Sequence, residues 1–267
     1  AAGAGLVRAE GRCAITAAAG ANDTVFPAGK TSVREGKNAA YAITPGDGYK
    51  IADVLVDGVS VGAVSEYTFE NVQKAHTIEA VFAWNNPFED AAETHWFYGD
   101  VEYACLNKLF EGTSPTTFAP RAAMTRGMLV TVLYRMEGSP AVTGANPFDD
   151  VESGKYYENA VIWAAKNGIV GGYSAAAFGP EDNITREQLA TILYNYAKYK
   201  GCDVSVGEDT NILSYNDVAQ ISEYALPAMQ WACGAGLIQG SDGNLMPKDS
   251  AQRCQVAAIL HRFCVNE

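Results

Sequence analysis

The sequence predicts an α+β protein in which the two fold classes occupy separate domains, a small all-β module followed by a larger all-α region. Three observations support this prediction. Residues 12–84 contain short β-type runs separated by turn signals, residues 86–267 contain one unit three times, and each copy of that unit has the apolar spacing of two helices. A length of 267 residues is consistent with two domains.

The N-terminal region has the turn residues and the alternation that are typical of β-hairpins. The pair Asp57-Gly58 follows an apolar run, which is a hairpin signal. Residues 77–82 alternate with a period of two, as half-buried strands do. We therefore expect a small β-rich module at residues 12–84. Residues 1–11, which are small and rich in glycine, are predicted to be a flexible leader.

A unit of two predicted helices occurs three times, at residues 86–139, 146–200 and 213–267. In every copy an Asp is followed 36 residues later by an Arg, and a Pro stands six residues before that Arg. Such fixed self-similarity indicates a chain built by repetition, in which a binding site also occurs in several versions. The residues are Asp90, Pro120 and Arg126 in the first copy, Asp150, Pro180 and Arg186 in the second, and Asp217, Pro247 and Arg253 in the third.

The second half of each copy predicts an amphipathic helix with apolar residues at i, i+3, i+4 and i+7. In the second copy Thr185 is the expected N-cap, and Gln188 completes a capping box. The first half predicts a shorter helix, followed by a turn that contains a glycine. Because one such unit cannot bury both apolar faces alone, the three copies must pack on one another. The stripe residues are Leu129, Val132, Leu133 and Met136; Leu189, Ile192, Leu193 and Tyr196; and Val256, Ile259, Leu260 and Phe263.

The second copy carries the most complete set of motifs. They are Phe148-Asp149-Asp150-Val151, Gly168-Ile169-Val170-Gly171-Gly172, Phe178-Gly179-Pro180 and Ile184-Thr185-Arg186-Glu187. This order of motifs resembles the S-layer homology domain, and the resemblance covers the chain from about Asn86 onward. It implies a pseudo-threefold bundle of three units. It also implies a bacterial surface protein held non-covalently on a secondary cell-wall polysaccharide, which often carries pyruvate ketals.

The β-rich module resembles the internalin-B-type repeat of bacterial surface proteins, a spacer or stalk unit for which no catalysis is implied. The residues that carry this resemblance are Gly48-Tyr49-Lys50, Val56-Asp57-Gly58, Tyr67-Thr68-Phe69, His76-Thr77-Ile78 and Val81-Phe82. Together the two resemblances imply an extracellular protein of the bacterial cell wall or S-layer. Self-association within such a surface layer is a further expectation.

The acidic composition narrows the partners of the chain. The net charge is −12, with seven basic and nine acidic side chains in residues 1–84 and 12 and 22 in the remainder. This charge argues against nucleic acid and against bulk attraction to an anionic wall polymer. No apolar run approaches the roughly 18 residues of a membrane helix, so membrane insertion is not expected. No secretion signal is visible, which we interpret as removal of the signal or as a fragment of a longer protein.

The six cysteines are interpreted as mostly free, buried thiols, and a disulfide framework is the alternative. Cys105 and Cys233 occupy matching places in two copies where the second copy has Ala165, which indicates a small core position. Candidate zinc ligands are Cys254, His261 and Cys264. Their spacing follows no common zinc pattern, so a core role is favoured. We predict no metal and no cofactor.

The sharpest binding hypothesis concerns the three arginines, Arg126, Arg186 and Arg253. Each would lie just inside a helix start, where free backbone N–H groups and the guanidinium together suit a carboxylate. The resemblance implies that they contact an acidic sugar substituent in grooves between neighbouring units. The alternative is that each Arg pairs with the Asp of its own copy and locks the turn. The second copy has the complete Thr-Arg-Glu and is the leading site, whereas Gly127 and Cys254 replace the Glu in the other copies.

Further candidate glycan-binding residues accompany the arginines. The aspartates that would orient them are Asp90, Asp150 and Asp217. The glycines that would serve turn geometry and let a glycan approach the backbone are Gly112, Gly172 and Gly240. Trp96 and Tyr156 are predicted to be partly exposed groove walls, and Trp163 and Trp231 are predicted to be core residues.

No catalytic motif is visible in the sequence, and we predict a protein that is not an enzyme. The leading hypothesis is an anchor that binds cell-wall polysaccharide, preceded by a β spacer. One alternative is a structural module that makes protein–protein contacts in a surface assembly. A second is the C-terminal anchor fragment of a larger wall-active enzyme. The leading hypothesis requires an exposed Arg186 in a groove with an aromatic wall, whereas the structural alternative requires Arg186 in an Asp pair and a large apolar patch.

Overall fold

A computed structural model describes residues 11–20 and 23–266 of the chain. The flexible leader predicted at residues 1–11 therefore lies outside the described residues, apart from Gly11. The chain divides into two compact units, residues 1–86 and residues 87–267.

The described part of the N-terminal unit contains eight strands in two sheets. They are β1 (Arg12–Ala18), β2 (Thr24–Phe26), β3 (Gly29–Arg34), β4 (Ala39–Thr44), β5 (Tyr49–Val56), β6 (Val59–Ser60), β7 (Glu66–Phe69) and β8 (His76–Trp84). One sheet has the order β3-β1-β8-β5-β6, in which β1 and β8 are parallel and the other neighbours antiparallel. The other is antiparallel, in the order β2-β4-β7. Ile15, Val54 and Ile78 of the first sheet share a core with Tyr41 and Phe69 of the second.

The hairpin predicted at Asp57-Gly58 is present between β5 and β6. Val56 pairs with Val59, so Asp57 and Gly58 form a loop of two residues. Their φ angles are 51° and 79°, and a positive φ at both positions is what a type I′ turn requires. The hairpin prediction is therefore confirmed, down to the two residues that form the turn.

The described part of the C-terminal unit contains six α-helices, two in each repeat. They are α1 (Tyr98–Leu106), α2 (Arg126–Met136), α3 (Glu158–Lys166), α4 (Arg186–Lys200), α5 (Leu226–Gly234) and α6 (Arg253–Asn266). The predicted apolar stripes are buried, as Leu129 and Leu133 in α2 illustrate, except that Met136 at the end of the first stripe is half-buried. The predicted capping box is present at α4, where Thr185 and Gln188 each accept a hydrogen bond from the other's backbone N–H.

The prediction that the repeats form an all-α pseudo-threefold bundle is wrong. In the residues that the structure describes, irregular segments separate the helices, three short 3-10 helices precede α5, and isolated antiparallel β-bridges join different repeats. Helical periodicity could not reveal these bridges, because each one pairs single residues from loops that are distant in sequence. The class of the chain as a whole is α+β. The bridges between repeats pair Ala123 with Gln252, Thr125 with Asn183 and Thr185 with Ser250.

The helices of one repeat pack on helices of the other two. α2 of the first repeat packs on α3 of the second, α4 of the second packs on α5 of the third, and α6 of the third packs on α1 of the first. The contacts therefore run in a closed cycle. Leu129, Leu189 and Val256 occupy equivalent positions in α2, α4 and α6, and all three are fully buried. Each repeat thus depends on its neighbours to cover its apolar faces.

Candidate functional site

The three candidate arginines occupy the first position of the second helix in each repeat. These helices begin at Arg126 in α2, Arg186 in α4 and Arg253 in α6. Thr125 and Thr185 precede the first two helices, and each hydroxyl accepts a hydrogen bond from the third N–H of its helix. At α6 the N–H of Gln252 donates to the side chain of Gln255 instead. The local capping sequence thus fixes where each arginine enters the fold.

Each arginine reaches into the next repeat and binds two backbone carbonyl groups there. Nε donates to one carbonyl oxygen at 2.8–3.0 Å, and Nη2 donates to a second at 2.7–3.2 Å. The side chains are only 5–8% exposed. The arginines therefore link the repeats in the same cyclic order as the helices. The acceptors are Phe178 and Gly171 for Arg126, Leu245 and Gln239 for Arg186, and Phe118 and Glu111 for Arg253.

The helix starts do not offer free backbone N–H groups, so that part of the anion-site hypothesis is wrong. In α4 the N–H groups of Arg186 and Glu187 donate to the carbonyls of Asp249 and Pro247 in the third repeat. The first two N–H groups of α2 and α6 bind the equivalent loops of the second and first repeats. The neighbouring loop therefore occupies the donors that an anion would need. The guanidinium groups remain the candidate donors.

The candidate aspartates bind the backbone of their own repeat, so the alternative of an Asp–Arg pair within one repeat is wrong. The Asp150 carboxylate accepts hydrogen bonds from the N–H groups of Phe178 and Gly179, at 2.8 and 2.7 Å. The carbonyl of the same Phe178 accepts the hydrogen bond from Arg126 Nε. Asp150 thus shapes the loop that receives the arginine of the preceding repeat. The equivalent donors are Phe118 and Ala119 for Asp90, and Leu245 and Met246 for Asp217.

Burial and aromatic rings set the electrostatics of the arginines. Burial lowers the pKa of each guanidinium, while the aspartate of the next repeat acts in the opposite direction. An arginine has so high an ordinary pKa that it stays charged at neutral pH. The guanidinium carbon of Arg126 lies 4.7 Å from the ring centre of Tyr173 and 4.6 Å from that of Phe178. Arg253 stacks in the same way, 4.7 Å from Phe118.

A cleft of about 420 Å³ opens beside Arg126, and we name it the Arg126 cleft. Its lining comes from three repeats, with Arg126 from the first, the turn after α3 and the side of α4 from the second, and Tyr224 from the third. Tyr173 and Tyr224 are 54% and 57% exposed. Gln188 and Asn195 add side-chain amides. A cation, amides and aromatic faces in one cleft can bind a polar ring that carries an acidic group.

A second cleft of about 370 Å³, named here the Arg186 cleft, brings together three of the predicted site residues. Arg186 comes from the second repeat, Gly240 from the third and Trp96 from the first. Trp96 is 66% exposed, so the predicted aromatic wall is present, whereas Arg186 is more buried than the leading hypothesis required. Residues at corresponding positions of the repeats line the two clefts. The equivalent pairs are Arg126 and Arg186, Gly172 and Gly240, Gln188 and Gln255, Asn195 and Arg262, and Tyr224 and Trp96.

The third set of predicted residues is arranged differently. Tyr156 is 55% exposed, as predicted. However, the cleft beside Glu111, whose carbonyl accepts the Nη2 hydrogen bond of Arg253, is lined by Arg135 and Cys264 rather than by Tyr156. The third position therefore differs in its lining from the two equivalent clefts.

The candidate glycines are required because their own turns approach them closely. A Cβ atom on Gly172 would lie closer than 3.0 Å to the carbonyl oxygens of Ser174 and Ala177 and to the Phe148 ring. Gly112 and Gly240 are enclosed in the same way by their own turns and by the ring that begins each repeat. The reason for glycine is thus close approach, because the backbone at these positions is not left-handed.

Glu187 forms a buried link between the second and third repeats. Its carboxylate accepts hydrogen bonds from the Ser222 N–H and Oγ, the Tyr224 hydroxyl and Lys248 Nζ, at 2.6–3.1 Å. Burial opposes ionisation, but the hydrogen bonds from Lys248, Ser222 and Tyr224 outweigh it and hold the pKa of Glu187 below its ordinary value. Because Tyr224 lines the Arg126 cleft, Glu187 fixes one wall of that cleft.

Several cleft residues were missed from the sequence. Asn195 and Arg262 lie seven residues after Gln188 and Gln255, about two helical turns on, so each shares a helix face with its glutamine and a search of that face would have found them. Tyr173 lies in an irregular turn, and no periodic pattern indicates its direction. The predictions that Trp163 and Trp231 are core residues are confirmed.

Four of the cysteines support the prediction of free thiols. Cys13 and Cys254 are buried, and Cys105 and Cys233 are half-buried. Burial raises the pKa of both Cys105 and Cys233 to about 11. These thiols are therefore protonated at neutral pH. A protonated thiol is a poor nucleophile and a poor metal ligand.

The candidate zinc ligand His261 has other contacts. Its Nδ1 atom lies 2.8 Å from the Asp100 carboxylate, and its ring stacks on Tyr103. Within residues 11–20 and 23–266, no three His, Cys, Asp or Glu side chains are grouped to hold a metal ion. Over the same residues, no helix combines the length and the apolar character that crossing a membrane would require.

The three repeats match a known domain family. The sequence profile of the S-layer homology domain matches residues 87–127, 147–190 and 214–257. The C-terminal unit therefore contains three S-layer homology repeats, a domain that anchors proteins to the cell wall. The chain is accordingly a protein of the bacterial cell surface.

The curated relatives that the chain matches are much longer proteins. It is 33% identical over 175 residues to an endoglucanase of Bacillus sp. (strain KSM-635), covering 65% of this chain and 18% of that protein. It is 25% identical over 162 residues to the surface-layer 125 kDa protein of Lysinibacillus sphaericus, covering 59% and 13%. It is 25% identical over 145 residues to the cellulosome-anchoring protein of Acetivibrio thermocellus, covering 50% and 32%. The chain spans less than a third of the length of each of these relatives.

Proposed function

We propose that the repeat region is a non-catalytic anchor that binds a secondary cell-wall polysaccharide carrying pyruvate ketals. The observation that carries this proposal is the pair of equivalent clefts, each lined by residues from three repeats. Both are lined by a buried arginine and by at least one exposed aromatic side chain. The binding positions are the Arg126 cleft and the Arg186 cleft.

The groups in these clefts match the chemistry of an acidic sugar. A pyruvate ketal supplies a carboxylate, for which a guanidinium is the best-matched partner in geometry and charge. The two carbonyl hydrogen bonds of Arg126 use two of the five N–H donors of a guanidinium. An aromatic face such as Trp96 can cover the apolar face of a sugar ring.

Local recognition also fits the charge of the molecule. The chain beyond residue 84 holds 12 basic and 22 acidic side chains. The net charge of this region is negative, so long-range electrostatics do not attract a polyanion to it. Neither of the two clefts has an acidic lining residue. Affinity for an acidic glycan would therefore come from placed arginines in otherwise neutral clefts.

The N-terminal unit is proposed to be a spacer of the internalin-B type. Its two sheets enclose one apolar core, and the predicted Asp57-Gly58 hairpin that carries part of the resemblance is present. A compact β unit of this kind gives distance between an anchor and the rest of a surface protein without contributing chemistry.

Two other functions have some support, but less than the polysaccharide anchor has. The different lining near Arg253 and the exposed apolar side chains Leu213 and Val265, at 77% and 65%, favour protein–protein contacts, including self-association, in a surface assembly. The identity of 33% to an endoglucanase favours an anchoring part of a longer wall-active enzyme.

A sedimentation assay with cell-wall sacculi tests the proposal, using sacculi with and without the secondary polysaccharide. Trp96→Ala removes the exposed wall of the Arg186 cleft, and Tyr173→Ala removes a wall of the Arg126 cleft. We expect each to weaken binding about five- to ten-fold, because stacking on one aromatic ring is worth about 1 kcal/mol. Phe26→Ala, which removes a 73% exposed aromatic of the N-terminal unit, is the control and should bind normally.

The outcomes separate the hypotheses. Binding that requires the polysaccharide and weakens in the cleft variants supports the anchor and both sites. If binding requires the polysaccharide but is equally strong in both cleft variants, the anchoring function is supported and the two clefts are rejected as its binding sites. An absence of binding to intact sacculi would overturn the anchor and favour the structural module. Arg186→Ala belongs in the same assay only with a check of folding, because that side chain is buried.

A further inference from the structure

The two equivalent clefts differ in charge at one position of their second helix. In the Arg126 cleft this position is Asn195, whose Nδ2 donates to the carbonyl of Ile169 at 3.2 Å. In the Arg186 cleft it is Arg262, whose Nη1 donates to the carbonyl of Leu237 at 3.0 Å. Both side chains thus make the same contact with their own repeat. The arginine therefore adds a full positive charge to the Arg186 cleft and still makes the hydrogen bond that asparagine makes in the Arg126 cleft.

The formal charges of the two clefts follow directly. The Arg126 cleft has one lining cation, Arg126, whereas the Arg186 cleft has two, Arg186 and Arg262. Neither cleft has an acidic lining residue to cancel this difference. Arg262 is half-buried, so its charge is screened less than that of a fully exposed side chain. Its one carbonyl hydrogen bond uses one of five N–H donors.

We propose that the two clefts select different saccharides, and that the Arg186 cleft prefers a saccharide unit with two negative charges. The Arg126 cleft then takes a unit with one negative charge. Arg262 is the residue that determines this specificity. The inference rests on the proposed function, since it assigns ligands within the same clefts.

The physical basis is the convergence of two guanidinium groups on one small space. A cleft of about 370 Å³ brings Arg186 and Arg262 within reach of one acidic sugar. A second negative charge on that sugar gains a partner there, whereas beside Asn195 it would meet only a neutral amide. One additional charge pair at a partly exposed site corresponds to about a five-fold gain in affinity.

Titration by heteronuclear NMR of the full chain can test this selectivity site by site. Methyl glucuronide serves as the probe with one negative charge, and glucose 6-phosphate as the probe with two. The N–H resonance of Gly172 reports on the Arg126 cleft and that of Gly240 on the Arg186 cleft. The reciprocal variants are Arg262→Asn and Asn195→Arg. Lys198→Asn is the control, because it removes one positive charge of α4 outside both clefts.

The native chain is expected to bind glucose 6-phosphate about five-fold more tightly than methyl glucuronide at Gly240, and to show no such preference at Gly172. Arg262→Asn should abolish the preference at Gly240, and Asn195→Arg should create it at Gly172. Lys198→Asn should leave both ratios unchanged. Added salt should reduce the preference, since it is electrostatic.

Equal ratios at the two clefts in the native chain, or a ratio at Gly240 that survives Arg262→Asn, would overturn the inference. Sedimentation with sacculi in parallel distinguishes this failure from failure of the anchor. If the native chain binds the polysaccharide but its clefts do not discriminate by charge, only the selectivity is rejected. If it binds neither sacculi nor either probe, both proposals are rejected.

Discussion

At the scale of single residues, the arginine at each helix start has a structural role that the sequence alone did not reveal. Arg126, Arg186 and Arg253 bind carbonyl groups of the following repeat, and two of them stack on aromatic rings there. A side chain that also lines a cleft is thereby held in one position before any ligand arrives. Preorganisation of this kind reduces the entropy that binding must overcome.

Arg126→Ala is expected to destabilise the C-terminal unit by about 3 kcal/mol. The substitution leaves two backbone carbonyls of the second repeat without donors, and each buried unsatisfied group costs about 1–3 kcal/mol. Urea denaturation followed by tryptophan fluorescence measures the change. Arg121→Ala, at an exposed arginine of the same loop, should stay within about 0.5 kcal/mol of the native protein. Equal stability of the two variants would contradict the linking role of Arg126.

Two neighbouring glycines offer a matched test of close packing. A Cβ on Gly172 meets the backbone carbonyls of Ser174 and Ala177, whereas a Cβ on Gly171 meets nothing within 4 Å. We therefore expect Gly172→Ala to cost about 2–3 kcal/mol in unfolding free energy and Gly171→Ala less than about 0.5 kcal/mol. The melting temperatures of the two variants, measured by thermal denaturation, test this expectation. Similar melting temperatures would show that the turn relaxes and that the close approach is not rigid.

At the scale of elements, the first turn of each second helix is the joint between repeats. In α4, Arg186 and Glu187 direct both their N–H groups and their side chains into the third repeat. Thr185 in front of them is held by the capping box. The helix starts therefore bind protein rather than solvent anions, and these hydrogen bonds fix the relative position of the repeats.

Acid should weaken the joint at Glu187. Its folded pKa lies below the ordinary value of 4.5, so the stabilisation is complete above pH 4.5 and is lost as the pH falls through the folded pKa. Glu187→Gln should be less stable at neutral pH and should lose less stability between about pH 5 and pH 3. Denaturation curves across this range provide the measurement. Lys248→Met, which removes one donor, should give an intermediate slope, and a native-like slope for Glu187→Gln would contradict this explanation.

At the scale of the whole molecule, the repeats and the helices in them were predictable, because the fixed Asp–Arg spacing and the apolar stripes are local patterns. The hairpin at Asp57-Gly58 was equally local. The partner of each arginine was not predictable, since Phe118 accepts a hydrogen bond from a residue 135 positions away. The same holds for the β-bridges that overturned the all-α prediction. The fixed spacing marks the arginines that make contacts between copies, but it does not show which residue of which copy each arginine binds.

The cyclic contacts predict that the three repeats fold as one unit. A chain of residues 87–212 would lack α5 and α6, which cover α4 and α1, and would leave Arg186 without its acceptors. We expect such a chain to show no cooperative unfolding transition in urea, whereas the intact repeats should unfold in a single transition by circular dichroism and fluorescence. A truncated chain that unfolds cooperatively would show that two repeats suffice.

The return of the last helix to the first repeat has a mechanical consequence for a protein at the cell surface. Tension applied to the chain at Pro87 enters the first repeat, and α6 and Arg253 hold that repeat directly. The pull is therefore shared between the first and third repeats at once, instead of passing along the sequence from one repeat to the next. If the repeats unfolded one after another from the first, the contacts between the first and the third repeat would have to break first.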